Sequence, residues 1–327
     1  MTINTWDSYY VVGYGRHAKN RIIPALEKNN QIISGIVSSK NKLTPSSFVF
    51  SDLESSLKVS AMNTVYILCS PPQSHFKQTS LILQSGRSVI VEKPAFMSLR
   101  EASIAIDLAR KRDLDLIEAF MYKYTRMYEN FISFWSQHEP SIKNIFINFL
   151  IPDFPNSTFR DELPIFETIL FDIGCYPISL LVELHENCIN FHDLNVSIES
   201  KTHTSKIIKI SMTINKINFF ISIGIANTYQ NDVKIEIIDK GIVTFSPFFY
   251  GQAGDKSIGY ELENRTHIDH FNDINGFEAM FQINRLEWEK SKEIRFKKII
   301  ESATIMDELS KQLASLDTKP SVKKDKT

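Results

Sequence analysis

Between residues 9 and 118 short β-branched apolar runs recur with amphipathic helical stretches between them, and this alternation constrains the fold more than any other feature. Strands joined through helices run parallel, because a tight hairpin connects only antiparallel neighbours. The runs fall at residues 9–13, 32–37, 48–50, 64–69, 88–91 and 114–118, and they predict a parallel sheet. Two helix starts are written as capping boxes, Ser51-Asp52-Leu53-Glu54 and Ser98-Leu99-Arg100-Glu101, in which serine and glutamate satisfy free backbone donors. Gly86 stands where the helix containing residues 76–83 must stop.

After about residue 140 the apolar period becomes two. Ile217, Phe219, Ile221, Ile223 and Ile225 share one strand face, opposite a run over residues 206–214 across Asn215-Lys216. Val233, Ile235 and Ile237 continue the pattern, and Asp239-Lys240-Gly241 reads as a hairpin turn. The spacing predicts a mostly antiparallel sheet with one buried face. A helix over about residues 293–313 closes the chain, and the last ~10 residues form a polar tail expected to be disordered. With no repeat and no low-complexity linker, the expected organisation is α/β, with closely packed domains at residues 1–120 and 121–327.

A chain of 327 residues is long enough for two cores, and 43% apolar with 23% charged residues suits a soluble protein. Net charge is −1, with no basic stripe beyond Lys323-Lys324-Asp325-Lys326, so neither nucleic acid nor a membrane surface is an expected partner. Cys69, Cys175 and Cys188 are scattered without metal-ligand spacing. Reduced thiols, no metal and a cytoplasmic location follow as expectations. The amino-terminal residues lack the basic-then-apolar order of a signal peptide, and no apolar run is read as approaching the roughly 20 residues that span a bilayer.

Four stretches carry candidate chemistry. Gly13-Tyr14-Gly15-Arg16-His17-Ala18 ends a strand and opens a helix as G-x-G-x-x-A. Glycines there permit a tight turn and close approach of a pyrophosphate, although an ordinary βα turn has the same look. At the end of the second strand Ser38-Ser39-Lys40 offers hydroxyls and a cation in place of an acid. That favours the 2′-phosphate of NADP(H), with NAD(H) the second option and a surface lysine the plain alternative. Glu92-Lys93-Pro94 follows an apolar strand at its carboxyl end, where ligands of parallel sheets collect. A salt-bridged structural lysine accounts for it equally well, and a cis Pro94 would fix where the ammonium points. Asp172 and Tyr176 lie about one helical turn apart in an apolar segment. Pro177 predicts an irregular first turn or a kink beside them, and each polar residue has a structural alternative as a cap.

These stretches together resemble the Gfo/Idh/MocA family of nicotinamide-dependent oxidoreductases. The matching residues are Gly13-Tyr14-Gly15, Ser70-Pro71-Pro72-Gln73-Ser74-His75, Glu92-Lys93-Pro94 and Asp172-Ile173-Gly174-Cys175-Tyr176-Pro177. The resemblance implies a Rossmann-like cofactor domain, contacted through Ser70, Pro71, His75 and Glu92 as well as the fingerprint, and a second α/β domain whose large, mostly antiparallel open sheet mediates a dimer or tetramer. It implies that Lys93 bonds the reacting oxygen, Tyr176 passes the proton and Asp172 orients the pair. Ketone reduction needs hydride from the nicotinamide and a proton for the developing alkoxide, and a nearby ammonium stabilises that alkoxide.

The layout is similar to NDP-sugar 3-ketoreductases in Glu118-Ala119-Phe120-Met121-Tyr122, Ile151-Pro152 with Phe159-Arg160, and Tyr229-Gln230-Asn231. Tyr122, Arg160 and Tyr229 are therefore candidate contacts to a sugar or sugar-nucleotide substrate, each with a structural alternative. A dehydrogenase oxidising a polyol, sugar or dihydrodiol, and a non-catalytic dinucleotide-binding regulator, are the competing readings. Three departures from the family stand out. Glu167-Thr168 replaces a usual Gly-Gly pair, residues 40–49 are too few for the usual helix, and little is recognisable after Phe245.

Overall fold

The computed structural model describes residues 6–39, 48–153, 163–185, 193–202, 205–263, 265–283 and 285–317. They form two compact units. The first comprises Met1–Gln137, Tyr250–Lys256 and His270–Ala303, the second His138–Phe249, Ser257–Asp269 and Thr304–Thr327.

In the first unit β1 (Ser8–Val12), β2 (Ile33–Val37), β3 (Val49–Phe50), β4 (Thr64–Leu68), β5 (Ser88–Glu92) and β6 (Leu116–Ala119) make a parallel sheet in the order β3-β2-β1-β4-β5-β6. Each lies within two residues of its expected position. The helices are α1 (Ile23–Lys28), entered through a π turn at Ala18–Ile22, then α2 (Leu53–Val59), α3 (Pro72–Gln84), α4 (Leu99–Arg112) and α5 (Arg126–His138). The strands are apolar throughout because both faces are covered. Tyr10, Val12, Tyr66, Leu68, Val89 and Val91 pack with α3 and α4 on one face. Tyr9, Val11, Val65, Ile67 and Ile90 pack with Ala18, Ile22 and Leu26 on the other.

Helix ends mostly follow the expected chemistry. Ser98 Oγ accepts the Glu101 N–H at 3.3 Å, and the Glu101 carboxylate accepts the Met97 N–H at 3.0 Å. Gly86, with φ of 83°, follows the end of α3. At α2 the cap is Asp52 rather than Ser51: its carboxylate accepts the Ser55 N–H at 2.7 Å, and Ser51 donates its hydroxyl to it. An ionised acceptor makes the stronger bond, so it takes the capping position.

The second sheet contains β7 (Ile142–Ile151), β8 (Asn195–Thr202), β9 (Ser205–Ile214), β10 (Ile217–Ile225), β11 (Gln230–Ile237), β12 (Gly241–Ser246), β13 (Gly254–Leu262) and β14 (Arg265–Asp273). Their order is β14-β13-β12-β11-β7-β10-β9-β8, with β7 and β10 parallel and the pairs β8/β9, β9/β10, β7/β11, β11/β12 and β12/β13 antiparallel. Asn215 and Lys216 both have positive φ, as a two-residue hairpin of this twist requires.

Across the buried face runs one continuous helical stretch, α6 (Ile165–Ile169), a π turn at Leu170–Gly174 and α7 (Cys175–Leu184). A Cβ on Gly174 would lie 2.7 Å from Ile223 Cδ1, so this glycine lets the helix rest closely on β10. The stretch is long and apolar enough by length and composition to cross a membrane, and it is mostly buried within the protein. Glu167 and Asp172 interrupt it, which is why no run of that length stands out in the sequence. The chain ends with α8 (Gly276–Met280), α9 (Arg285–Lys290) and α10 (Lys292–Asp317), the last covering the helix expected over residues 293–313.

Candidate active site

At the carboxyl edge of the first sheet the strand order reverses between β1 and β4, the crevice where open α/β sheets take their ligands. Gly13 ends β1 with φ of 93°, and a Cβ there would stand 2.8 Å from Ser70 N and 2.9 Å from the Cys69 carbonyl. Only glycine fits both that backbone angle and that approach. A Cβ on Gly15 would meet nothing within 4 Å, so open space lies beside the fingerprint. The cradle fits a dinucleotide pyrophosphate. Tyr14 lies under the Lys19 ammonium at 4.3 Å, Arg16 is exposed, and Ser38 and Ser39 follow β2. Lys40 is outside the described residues.

Next to the cradle is a charged turn. His17 Nε2 is 2.8 Å from Glu92 Oε1. Burial pushes the Glu92 carboxyl up, but the charge and hydrogen bond of His17, with the charges of Lys93 and His75, together hold it below its ordinary value. Burial lowers His17 in turn, and the Glu92 charge and hydrogen bond overcome this and raise it. The two shifts agree on an ion pair. Lys93 follows β5, and its bond to Pro94 is cis. Two side chains hold the following peptide groups: His75 Nδ1 lies 2.9 Å from Pro94 O, and the Ala95 N–H donates to Glu118 at 2.8 Å. The other nitrogen of His75 lies 2.9 Å from the Ser70 carbonyl, so His75 links two of the matched stretches. Burial raises the Glu118 carboxyl despite the Ala95 bond and the Lys123 and Lys93 charges. Nothing in the sequence marked Glu118 as a site residue, although it opens the stretch Glu118-Ala119-Phe120-Met121-Tyr122. Tyr122 is fully buried among Phe120 and Tyr128, which favours its reading as a packed core residue.

In the second unit Asp172 lies in the π turn and Tyr176 in the first turn of α7. The irregularity is thus in the middle of a helical stretch and not in its first turn. A straight helix would drive the Pro177 ring against the Ile173 carbonyl, and the wider turn gives it room. The Tyr176 ring is buried edge-on to Phe149 at 5.2 Å and lies 5.7 Å from Phe249; these two phenylalanines stack on each other at 5.5 Å. Thr168 is buried with its N–H bonded to Pro164 O, and Glu167 is half-buried. Tyr229 is half-exposed and its hydroxyl accepts from Asn231 at 2.9 Å. Arg160 is outside the described residues. Sequence reasoning missed Phe149 and Phe249 as parts of this arrangement, and it gave Asn231 no role although the residue stands in the Tyr229-Gln230-Asn231 stretch. The period was the available signal, because Phe149 alternates with Ile147, and Asn231 with Val233.

Residues 8–120 match the model of the Gfo/Idh/MocA oxidoreductase family, NAD-binding Rossmann fold. The uncharacterized oxidoreductase YgjR of Escherichia coli K12 is 42% identical over 72 residues, 22% of each chain. Galactose 1-dehydrogenase of Pseudomonas fluorescens is 30% identical over 96 residues, 29% of this chain and 32% of that protein. The chain thus matches between about a fifth and a third of the length of these curated relatives. A mutant of KijD10, a 3-ketoreductase from Actinomadura kijaniata in complex with TDP-benzene and NADP, superposes with a TM-score of 0.78 at 16% identity. That match covers 93% of this chain and 97% of the other, and at this identity it establishes the fold.

Proposed function

We propose that this chain, a member of the Gfo/Idh/MocA oxidoreductase family by its amino-terminal domain, is an NADP(H)-dependent reductase of a keto group on a sugar or nucleotide-linked sugar. The observation that carries the reading is the charged turn at the carboxyl edge of β5, where Lys93 stands among Glu92, His17 and Glu118 on the same edge as the glycine cradle. Gly13, Tyr14, Gly15, Arg16 and His17 would hold the pyrophosphate side of the dinucleotide, and Ser38, Ser39 and Lys40 its 2′-phosphate. Ser70, Pro71 and His75 would line the crevice. NADPH supplies the hydride when bound.

The chain's own residues supply the rest. Lys93 donates a hydrogen bond to the carbonyl oxygen and favours the negative charge that gathers there. Tyr176 gives that oxygen its proton, and Asp172 orients the phenol. The aromatic wall of Phe149 and Phe249 keeps water from the Tyr176 ring. Tyr229 and Arg160 are the proposed substrate contacts.

The resemblance to galactose 1-dehydrogenase supports a second reading, in which the same groups oxidise a sugar and Tyr176 accepts the proton. A further proposal is a dimer or tetramer built on the outward face of the second sheet. There Phe146 and Phe220 stack at 5.2 Å among Asn144, Asn148 and Asn218. Neither Cys69 nor Cys175 is in a disulfide, which suits the reducing cytoplasm proposed as its location. The test is NADPH oxidation against a panel of keto sugars and nucleotide-linked keto sugars. Turnover of one of them supports the reading, and oxidation of none by cofactor-bound protein overturns it.

A further inference from the structure

Asn231 shares a face of β11 with Val233, Ile235 and Ile237, a lone amide on an apolar surface, and only 3% of it is exposed. A buried amide is costly unless its ends are bonded. Its carbonyl accepts the Phe249 N–H at 2.7 Å, and the Phe248 N–H donates to the Asn231 main-chain oxygen at 2.9 Å. A backbone N–H can only donate, so the side-chain oxygen is fixed on that side and the amide nitrogen faces Tyr229. That nitrogen donates to Tyr229 Oη at 2.9 Å. The phenol oxygen therefore accepts from Asn231 and directs its own proton away from it. At the other end of the amide, Phe249 stacks on Phe149 and lies against the Tyr176 ring.

We propose that Asn231 is a positioning residue with two outputs: it seats Phe249 against Tyr176, and it fixes Tyr229 as a hydrogen-bond donor to an acceptor oxygen of the sugar substrate. The inference rests on the reading of Tyr176 as the proton donor. It adds a selectivity element, since a site that donates to a substrate oxygen discriminates against the deoxy analogue lacking it.

Asn231→Asp is the decisive variant. It keeps the size and an oxygen for the Phe249 N–H, but it places a second oxygen where the N–H group stood, so Tyr229 must donate inward. With the keto sugar that the wild type reduces fastest, KM should rise about 3- to 10-fold, the scale of one hydrogen bond, with kcat within about twofold. Tyr229→Phe should give the same rise, and the double variant no more. Asn231→Ala releases Phe249 and should lower kcat instead. A readout independent of turnover is the phenol ultraviolet titration above pH 7. The component absent in Tyr229→Phe should move to higher pH in Asn231→Asp. Unchanged KM and an unchanged phenol titration in Asn231→Asp, or additive effects of the two single changes, would overturn the proposal. If the wild type reduces no keto sugar, the reductase reading fails by itself. The titration then still decides the polarity at Tyr229, supporting it by an upward shift and refuting it by none.

Discussion

The charged turn of the first unit and the π turn of the second hold their polar side chains by opposite means. At Lys93 the surroundings are ionic: Glu92 is paired with His17, Glu118 is half-buried nearby, and His75 bridges two carbonyl oxygens. At Tyr176 they are aromatic, with Phe149 and Phe249 against the ring and one amide, Asn231, holding the bend that carries Phe249. A cation that must meet developing negative charge needs counter-ions to stay in place without its substrate. A phenol that must give up a proton needs a fixed direction, which packing supplies.

The comparison can be broken most forcefully at Tyr176, the proposed proton donor, and at Gly13 in the glycine cradle. Tyr176→Phe should lower kcat by roughly 10²- to 10⁴-fold, the range for removing a general acid, while NADPH affinity measured by fluorescence titration stays unchanged. Equal loss of cofactor affinity would mean that the phenol belongs to the cofactor side. Next in size is Gly13→Ala. Its φ of 93° and the 2.8 Å approach to Ser70 N predict a loss of about 1–3 kcal/mol in stability, read by denaturant unfolding, together with weakened NADPH binding.

Smaller effects separate the units by pH. Burial pushes His185, in the second unit, down to about 4 from 6.5. The unfolded chain takes up this proton near 6.5 and the folded chain only near 4. The His185 contribution is thus fully present above 6.5 and is lost as pH falls towards 4. Thermal unfolding followed over that window should show the loss, and His185→Gln should flatten it. In the first unit the signs run the other way for His17, whose folded value is raised. Its contribution is complete below 6.5 and fades as pH rises through the folded value. Glu92, with a lowered value, contributes above 4.5 and loses this as pH falls through its folded value. Glu92→Gln should remove the alkaline fading, and a pH profile unchanged by it would disprove the pairing.

Local chemistry explains how much was legible in advance. The parallel strands could be read because burial on both faces leaves an unbroken apolar run such as Val89-Ile90-Val91, and Gly13 because its φ is written in its lack of a side chain. The turn at Asp239-Lys240-Gly241 could be read from its glycine, which has φ of 130°, and the hairpin at Asn215-Lys216 from the alternating runs on either side. What escaped depends on distant pairing. Asn231 meets Phe149 only through the register of β7 with β11, and Glu118 meets Ala95 only because β5 and β6 are neighbours. The capping residue at α2 was misplaced by one because two adjacent side chains compete for the same N–H groups, and the choice between them is a matter of bond strength.

The central claim is that hydride passes to a sugar carbonyl carbon and that Tyr176 supplies the accompanying proton. Incubating the protein with NADPH deuterated at its hydride-donating carbon and a nucleotide-linked keto sugar, then analysing the product by NMR, tests this most directly. The account predicts deuterium on the former carbonyl carbon with wild-type protein, at a rate reduced roughly 10²-fold or more in Tyr176→Phe. Absence of deuterium from the sugar, or equal rates in the two proteins, would contradict it.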